Sequence, residues 1–285
     1  MTALIGGRGR WRRRAGSALL AVLGVAGAAA AAGPAVEGTR ITADQAPQID
    51  GALDEPAWQG AQWFSEFRQS VPDFGEVPRE GTRVAFLLDE HNLFVGVFCD
   101  DSRPELIRAN KLRHRDDPDT DDHIELILDT YRDQIRGTVF VVNPLGAKEE
   151  GLVNGYEKYT WNWNDVWEVR TRITDAGWQA ELRIPLRLLH YGSAREQVWG
   201  VNVMRVVRRL QEESYLAPPP PPYDISSLNF AGELRPLELG ERQRNLQLIP
   251  YGLAGVLRED AGDGETTDSV TEVGLDLKYS LTTDL

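Results

Sequence analysis

The sequence contains little cysteine and fewer basic than acidic residues. Cys99, the single cysteine among 285 residues, cannot form an internal disulfide, so stability has to come from a buried core. Only 31 basic residues stand against 44 acidic ones, and the net charge is −13. This balance argues against nucleic acid as a partner, because nucleic-acid binding depends on basic surfaces.

Catalytic motifs are missing as well. The four histidines are scattered, and there is no zinc-type pair, no Gly-x-Ser-x-Gly and no phosphate-cradling glycine loop. A glycosidase needs two carboxylates roughly 5 to 9 Å apart. Glu125, Asp122 and Glu181 are the candidates, but nothing in the sequence pairs them. We therefore expect no intrinsic catalysis, and at most an association with glycoside hydrolysis.

The N-terminus predicts export. Five arginines precede an uninterrupted small and apolar run over residues 15–32, which is the layout of a secretory signal peptide. We assign residues 1–33 to this peptide, with cleavage near Ala32. The alternative is a membrane anchor.

The rest of the chain shows the short apolar runs of β-strands. Residues 84–88 and 93–98 flank a polar turn and predict a β-hairpin. Further strands are predicted at 123–129, 137–143, 167–173, 177–184 and 199–207, several of them with one apolar and one polar face. Helical signals are weak. The pattern predicts an all-β protein whose residues 36–238 form an antiparallel β-sandwich.

Three segments in order carry a family resemblance: IDGALDEPAW at 49–58, DDHIELILD at 121–129 and GWQAELRIPLRLL at 177–189. In the first, Gly51 permits a turn and Trp58 supplies a large anchor for the core. Together the segments resemble the family 9 carbohydrate-binding module, over roughly residues 40–238. The resemblance implies a non-catalytic β-sandwich that binds a poly- or oligosaccharide, with bound calcium in some members.

The resemblance also implies sugar-binding positions. Glu125 falls where the family has a glutamate that binds sugar hydroxyls. The family clamps a sugar ring between two tryptophans, but the first clamp position is Asp119 here. The second falls in the loop 217–224, where Tyr223 is the aromatic substitute.

An aromatic segment at 156–167 offers further sugar contacts. From it we select Trp161, Trp163 and Asn164, because sugars need aromatic faces together with short polar groups. The alternative is that Trp161 and Trp163 alternate on one strand face and pack into the core.

The acidic run at 116–122 is a candidate Ca²⁺ site. Asp117, Asp119 and Asp121 are the expected ligands, since Ca²⁺ prefers several hard oxygens close together. The spacing is not that of an EF-hand loop. The alternative is a solvated acidic loop.

In residues 239–285, apolar and polar residues alternate over longer stretches than in the preceding region. Apolar residues recur at 273, 275, 277, 279 and 281, and earlier at 246, 248, 251 and 253 with a slip at Pro250. This predicts two long strands, which we interpret as the first strands of an outer-membrane β-barrel that continues beyond Leu285. The alternative is an ordinary hairpin of a soluble protein.

Two functions follow from these expectations. One is an exported carbohydrate-binding module that serves polysaccharide binding or catabolism at the envelope of a Gram-negative-type bacterium. The other is a plug or receptor domain of an outer-membrane transporter, in the periplasm or at the cell surface, which need not bind sugar.

Overall fold

The computed structural model describes residues 33–114, 120–155, 159–161, 163, 165–239, 246–260 and 265–279. Within the last two ranges, side chains are described at 251–255 and 271–275. The predicted signal peptide lies almost entirely outside the described residues. No helix among the residues described is long and apolar enough to cross a membrane.

Strands dominate the described chain. In chain order they are β1 (Ala35–Val36), β2 (Gly38–Arg40), β3 (Arg68–Val71), β4 (Thr82–Leu88), β5 (Asn92–Asp100), β6 (His123–Asp129), β7 (Gly137–Val142), β8 (Lys148–Val153), β9 (Glu168–Thr174), β10 (Gly177–Pro185), β11 (Glu196–Val207), β12 (Glu212–Tyr215), β13 (Gly232–Glu238), β14 (Leu246–Asp260) and β15 (Glu265–Tyr279). One short helix, α1 (Pro56–Gln59), and 3₁₀ turns at Ala43–Gln45, Pro104–Leu106, Leu186–Leu188, Arg208–Leu210 and Leu228–Phe230 complete the described elements.

The strands form two main sheets. The larger has the order β1-β13-β11-β6-β7-β8, with β12 pairing β11 and β3 pairing β12, and the smaller has the order β2-β4-β5-β10-β9. Pairs β1–β13 and β2–β4 are parallel, and the other pairs within these two sheets are antiparallel. The predicted all-β, largely antiparallel sandwich is confirmed, including the hairpin of β4 and β5.

The main core lies between the two sheets. Alternate residues of each strand point inward, such as Leu126 of β6, Val95 of β5 and Leu182 of β10, and all three are fully or almost fully buried. Trp178 and Trp199 are buried there as well. The thiol of Cys99 is also buried, and burial raises its pKa to about 12. It is therefore a small core residue rather than a reactive group.

The outer face of the smaller sheet is also apolar, and the chain between Ile41 and Trp63 covers it. Ala85, Leu87 and Phe94 point outward from the sheet and pack against Ile41 and Trp58. Gly96 makes this contact possible, since a Cβ there would lie 2.9 Å from the Trp58 ring. We call residues 41–63 the cover segment.

A buried carboxylate fastens the cover segment to the sheet. Glu181 of β10 accepts the backbone N–H groups of Asp50 (3.0 Å) and Gly51 (2.7 Å), and the indole N–H of Trp58 (2.8 Å). Gly51 has φ +90°, and a Cβ there would lie 3.0 Å from the backbone of Thr171. The segments at 49–58 and 177–189 therefore meet in one structural contact.

The two long C-terminal strands form a hairpin of 15 residues each, as a separate two-stranded sheet. Its register is continuous through Pro250, so no bulge accompanies the slip in the apolar alternation of the sequence at this residue. Tyr251 and Leu253 consequently face away from Val273 and Leu275. Exposed apolar side chains therefore occur on both faces of the hairpin, not on one.

The contact at Glu181 gives a stability prediction. Glu181→Ala would leave three N–H groups in the cover without their acceptor, so it should lower the free energy of unfolding by about 3–5 kcal/mol. Urea unfolding followed by tryptophan fluorescence measures this. Glu168→Ala is the control: Glu168 is an exposed neighbour on β9 and should change stability by less than about 1 kcal/mol. Equal losses in both variants would contradict the structural role of Glu181.

Candidate functional site

Glu125 lies near the centre of the larger sheet, on its outer face. In register it stands between Val141 of β7 and Met204 of β11. Its chain neighbours Ile124 and Leu126 point into the main core, so the Glu125 side chain points away from it. The residue is only 7% exposed. A carboxylate this deep needs hydrogen-bond donors.

Tyr159 supplies one such donor. Its hydroxyl donates a hydrogen bond of 2.9 Å to Oε1 of Glu125. The Tyr159 ring stacks on the ring of Trp161, with centroids 4.9 Å apart and planes 7° from parallel. Between them, Thr160 exchanges two backbone hydrogen bonds with Leu152 of β8. The short segment 159–161 thus extends the sheet beyond its edge strand and places two aromatic rings on its outer face.

Gly151 makes room for this arrangement. A Cβ at Gly151 would lie 2.8 Å from Cε3 of Trp161, so the tryptophan ring sits directly on the β8 backbone. Tyr159 and Trp161 are both half-buried and pack against a second apolar cluster, which includes Val141, Met204 and Tyr215. The cluster holds the two rings but leaves part of each accessible to a ligand.

The site is electronegative. Burial raises the pKa of Tyr159, and the charges of Glu125 and Asp224 raise it further. Burial likewise raises the pKa of Tyr215, helped by Glu213 and Glu125, and its hydroxyl donates to Glu213 at 3.2 Å. Both phenols therefore remain protonated donors at physiological pH, surrounded by carboxylate acceptors.

Tyr223 belongs to the loop that follows β12. Its ring packs against Phe230 at 5.1 Å, and it is 54% exposed. Ile225 of the same loop belongs to the second apolar cluster together with Tyr215, and Tyr159 packs against that cluster. Tyr223 thus adds a solvent-facing aromatic ring beside the cluster.

The selected residues of the aromatic segment do not all come together. Trp161 joins Glu125 through Tyr159, whereas Trp163 packs edge-on against Phe140 at 6.2 Å and contacts the main core. Asn164 lies outside the described residues. Tyr159 is the contact that sequence reasoning did not select. Its spacing of two from Trp161 was a signal for it, because alternate residues of an extended segment share a face.

The acidic run is described only in part, since Asp117 and Asp119 lie outside the described residues. Asp121 is fully buried, and its carboxylate accepts N–H groups from Asn110, Lys111 and Asn143. Burial by itself would raise the pKa of Asp121, but these hydrogen bonds outweigh it and hold the pKa below its usual value. Asp121 therefore fastens the loop around residue 110 to β6. The calcium site stays a prediction.

A different group of described carboxylates has the spacing for a cation. Ligand oxygens of Asp50, Glu55 and Glu181 all lie within 4.8 Å of one another. Glu181 already accepts three N–H groups, so the oxygens left to coordinate a cation are those of Asp50 and Glu55. Burial, followed by the charges of Asp50 and Asp54, raises the pKa of Glu55.

The three carboxylates considered for glycosidase chemistry do not form a pair. Glu125 and Glu181 point outward from opposite sheets, so both sheets, packed about 10 Å apart, lie between them. Asp122 accepts the backbone N–H groups of Arg208 (2.7 Å) and Arg108 (3.3 Å). Each carboxylate thus serves a separate structural contact.

Neither a protein-family model nor a curated protein matches the chain at a significant level. Among solved structures, it is similar to a family 9 carbohydrate-binding module from Caldicellulosiruptor kristjanssonii in complex with glucose. The TM-score is 0.52 and the identity 16%, over 74% of this chain and 98% of that chain. A family 9 module from the same organism in complex with cellotriose gives 0.49 and 15%, over 72% and 95%.

A provisionally assigned carbohydrate-binding protein from Bacteroides uniformis is similar as well. Its TM-score is 0.58 at 12% identity, covering 71% of this chain and 99% of that chain. The fold of the sandwich is therefore similar to that of family 9 carbohydrate-binding modules, as the resemblance of the three segments implied.

The lowered pKa of Asp121 predicts a pH dependence. Asp121→Asn should destabilise the protein near neutral pH, because the charged acceptor of four N–H contacts is lost. An acid whose folded pKa is lowered contributes stability above its unfolded value and loses it as the pH falls through the folded value. The difference in free energy of unfolding between wild type and variant should therefore disappear at pH values below 3.8, the usual pKa of an aspartate. Urea unfolding at several pH values measures it, with exposed Asp175→Asn as the control. A gap independent of pH would contradict this account.

Proposed function

We propose that this protein is a non-catalytic saccharide-binding module whose site lies on the outer face of the larger sheet. The contact of Glu125 with the stacked pair Tyr159 and Trp161 carries the proposal. It combines aromatic rings with carboxylate and hydroxyl groups on a fold of the carbohydrate-binding type. Sugars bind through this combination, since their C–H faces stack on rings and their hydroxyls need polar partners.

The residues have distinct roles in this proposal. Trp161 and Tyr223 offer ring surface to the sugar. Glu125 and Asp224 accept sugar hydroxyls at the margin of the cluster, and Glu125 also holds Tyr159 in place. The ligand class is a poly- or oligosaccharide, and the neighbour crystallised with glucose makes oligomers of glucose, such as cello-oligosaccharides, the first ligands to test. We place the function in polysaccharide capture at the bacterial envelope, after export.

Calorimetric titration of the full chain with cello-oligosaccharides tests the site. Trp161→Ala and Tyr223→Ala should each weaken binding by roughly tenfold, since one aromatic contact contributes about 1 kcal/mol or more. Phe74→Ala is the matched control: Phe74 is a 49% exposed aromatic in the loop after β3 and should leave affinity unchanged. Glu125→Gln keeps the side-chain shape and should weaken binding through the lost charge.

Absence of binding to every poly- and oligosaccharide on a glycan array would overturn the proposal. So would a loss in Phe74→Ala as large as that in Trp161→Ala.

We also propose that the C-terminal hairpin associates with an outer membrane, as the first strands of a barrel. The exposed apolar residues support this, with Val273 85% and Leu275 60% exposed and Tyr251 and Leu253 exposed on the other face. Two strands cannot span a bilayer alone, because their outer backbone groups would stay unpaired in lipid. The hairpin therefore needs further strands to complete a barrel.

Flotation of the full chain with phospholipid vesicles tests this attachment. The double variant Val273→Asn, Leu275→Asn should lose most of the vesicle-bound fraction, because it removes apolar surface from the hairpin. Val166→Asn with Leu112→Asn is the matched control, since these residues are 71% and 70% exposed and lie in the sandwich region. Equal losses in both double variants, or no vesicle binding by the wild type, would contradict the role of the hairpin.

A further inference from the structure

One row of side chains on the outer face of the smaller sheet remains outside the cover segment. Arg83 of β4, Phe98 of β5, Gln179 of β10 and Arg172 of β9 are successive register partners across four strands. Their chain neighbours, such as Val84, Val97 and Ala180, point into the main core, so the row points to solvent. Strands lie about 4.8 Å apart, and the row therefore spans about 14 Å. We call it the arginine row.

Aromatic rings fix the first arginine of the row. The guanidinium carbon of Arg83 lies 4.6 Å from the centroid of Phe98 and 6.0 Å from that of Trp63. Trp63 ends the cover segment, and its indole N–H donates to the backbone oxygen of Trp58 at 3.0 Å. A guanidinium stacked on aromatic rings keeps its N–H edge free for a ligand and loses little side-chain entropy on binding.

The arginine row has an exposed arginine at each end. Among the described residues, no carboxylate forms an ion pair with Arg83 or Arg172, although both are exposed. Some other arginines of the described chain are paired, such as Arg183 with Glu168 on the same sheet face and Arg103 with Glu105. Both ends of the row therefore carry an exposed arginine whose guanidinium is not engaged by a carboxylate of the described residues.

The centre of the row suits a sugar ring. Phe98 is half-buried and contributes apolar surface. Gln179 is 9% exposed, so its amide lies at the floor between the two arginines. An amide beside an aromatic ring provides the polar and apolar contacts that a sugar requires. The row thus combines saccharide contacts with two anion-binding groups.

We propose that the arginine row is a second binding surface, for an acidic saccharide whose uronate carboxylates or sulfate esters contact Arg83 and Arg172. Guanidinium groups bind such anions through two parallel hydrogen bonds. The net negative charge of the protein repels a polyanion, but at physiological salt charges more than about 8 Å away are largely screened. The contacts with Arg83 and Arg172 therefore outweigh this repulsion. The surface is independent of the Glu125 site, because the two lie on opposite outer faces of the sandwich.

Binding of the full chain to immobilised polysaccharides at physiological salt tests the proposal. Polygalacturonate carries carboxylates, dextran sulfate carries sulfate esters, and uncharged dextran is the neutral reference. The wild type should bind at least one of the two acidic polymers and not dextran. Arg83→Gln with Arg172→Gln should weaken that binding at least tenfold, and Arg83→Lys should give an intermediate loss, since it keeps the charge but not the planar fork.

Arg103→Gln with Arg183→Gln removes the same charge from two arginines that have acidic partners, and it should change affinity less than twofold. The proposal is overturned by an equal loss in this control, by absence of binding to both acidic polymers, or by equal binding to polyglutamate, which has carboxylates but no sugar. The test of the arginine row is independent of the test of the Glu125 site. Arg83→Gln with Arg172→Gln should leave cello-oligosaccharide binding unchanged, and Trp161→Ala should leave polygalacturonate or dextran sulfate binding unchanged.

Discussion

Both sheets of this sandwich carry apolar residues on their outer faces, so each needs a layer of chain over it in addition to the common core. On the smaller sheet the cover segment packs on Phe94 and Gly96. On the larger sheet the rings of Tyr159 and Trp161 pack on the cluster around Val141 and Met204. Side chains of the outer faces reach solvent only beyond the edges of these covering segments. The candidate binding surfaces lie at these margins.

A carboxylate fastens chain to sheet on each side. Glu181 receives three N–H donors from the cover segment, and Glu125 receives the hydroxyl of Tyr159. Buried charge is tolerated in both places because donors from the covering chain satisfy it. The two residues differ in their surroundings. The oxygens of Glu181 are enclosed by structural contacts, whereas Glu125 lies beside half-exposed aromatic rings that a sugar can reach.

Local patterns predicted the scaffold well, because strand alternation and the turn at Gly51 depend on neighbouring residues. The strand at 123–129 and the buried Trp58 follow from such patterns. The site is non-local: Tyr159 meets Glu125 across 34 positions, and no spacing rule connects them. The two long C-terminal strands were predicted, but the face on which their apolar residues lie was not. One bulge at Pro250 would reverse every later side chain, and the sequence does not reveal whether it forms. Trp163 lies apart from Trp161, since its ring packs against Phe140 at the main core while that of Trp161 stacks on Tyr159.

The central claim is that a saccharide binds at the Tyr159 and Trp161 pair. The indole N–H signals of the protein, followed by nitrogen-labelled NMR during addition of cellotriose, test it most directly. The account predicts that the Trp161 signal shifts in a saturable way, while the signals of the buried Trp58, Trp178 and Trp199 stay in place. An unmoved Trp161 signal with cellotriose bound elsewhere, or no shift of any indole signal at saturating sugar, would contradict it.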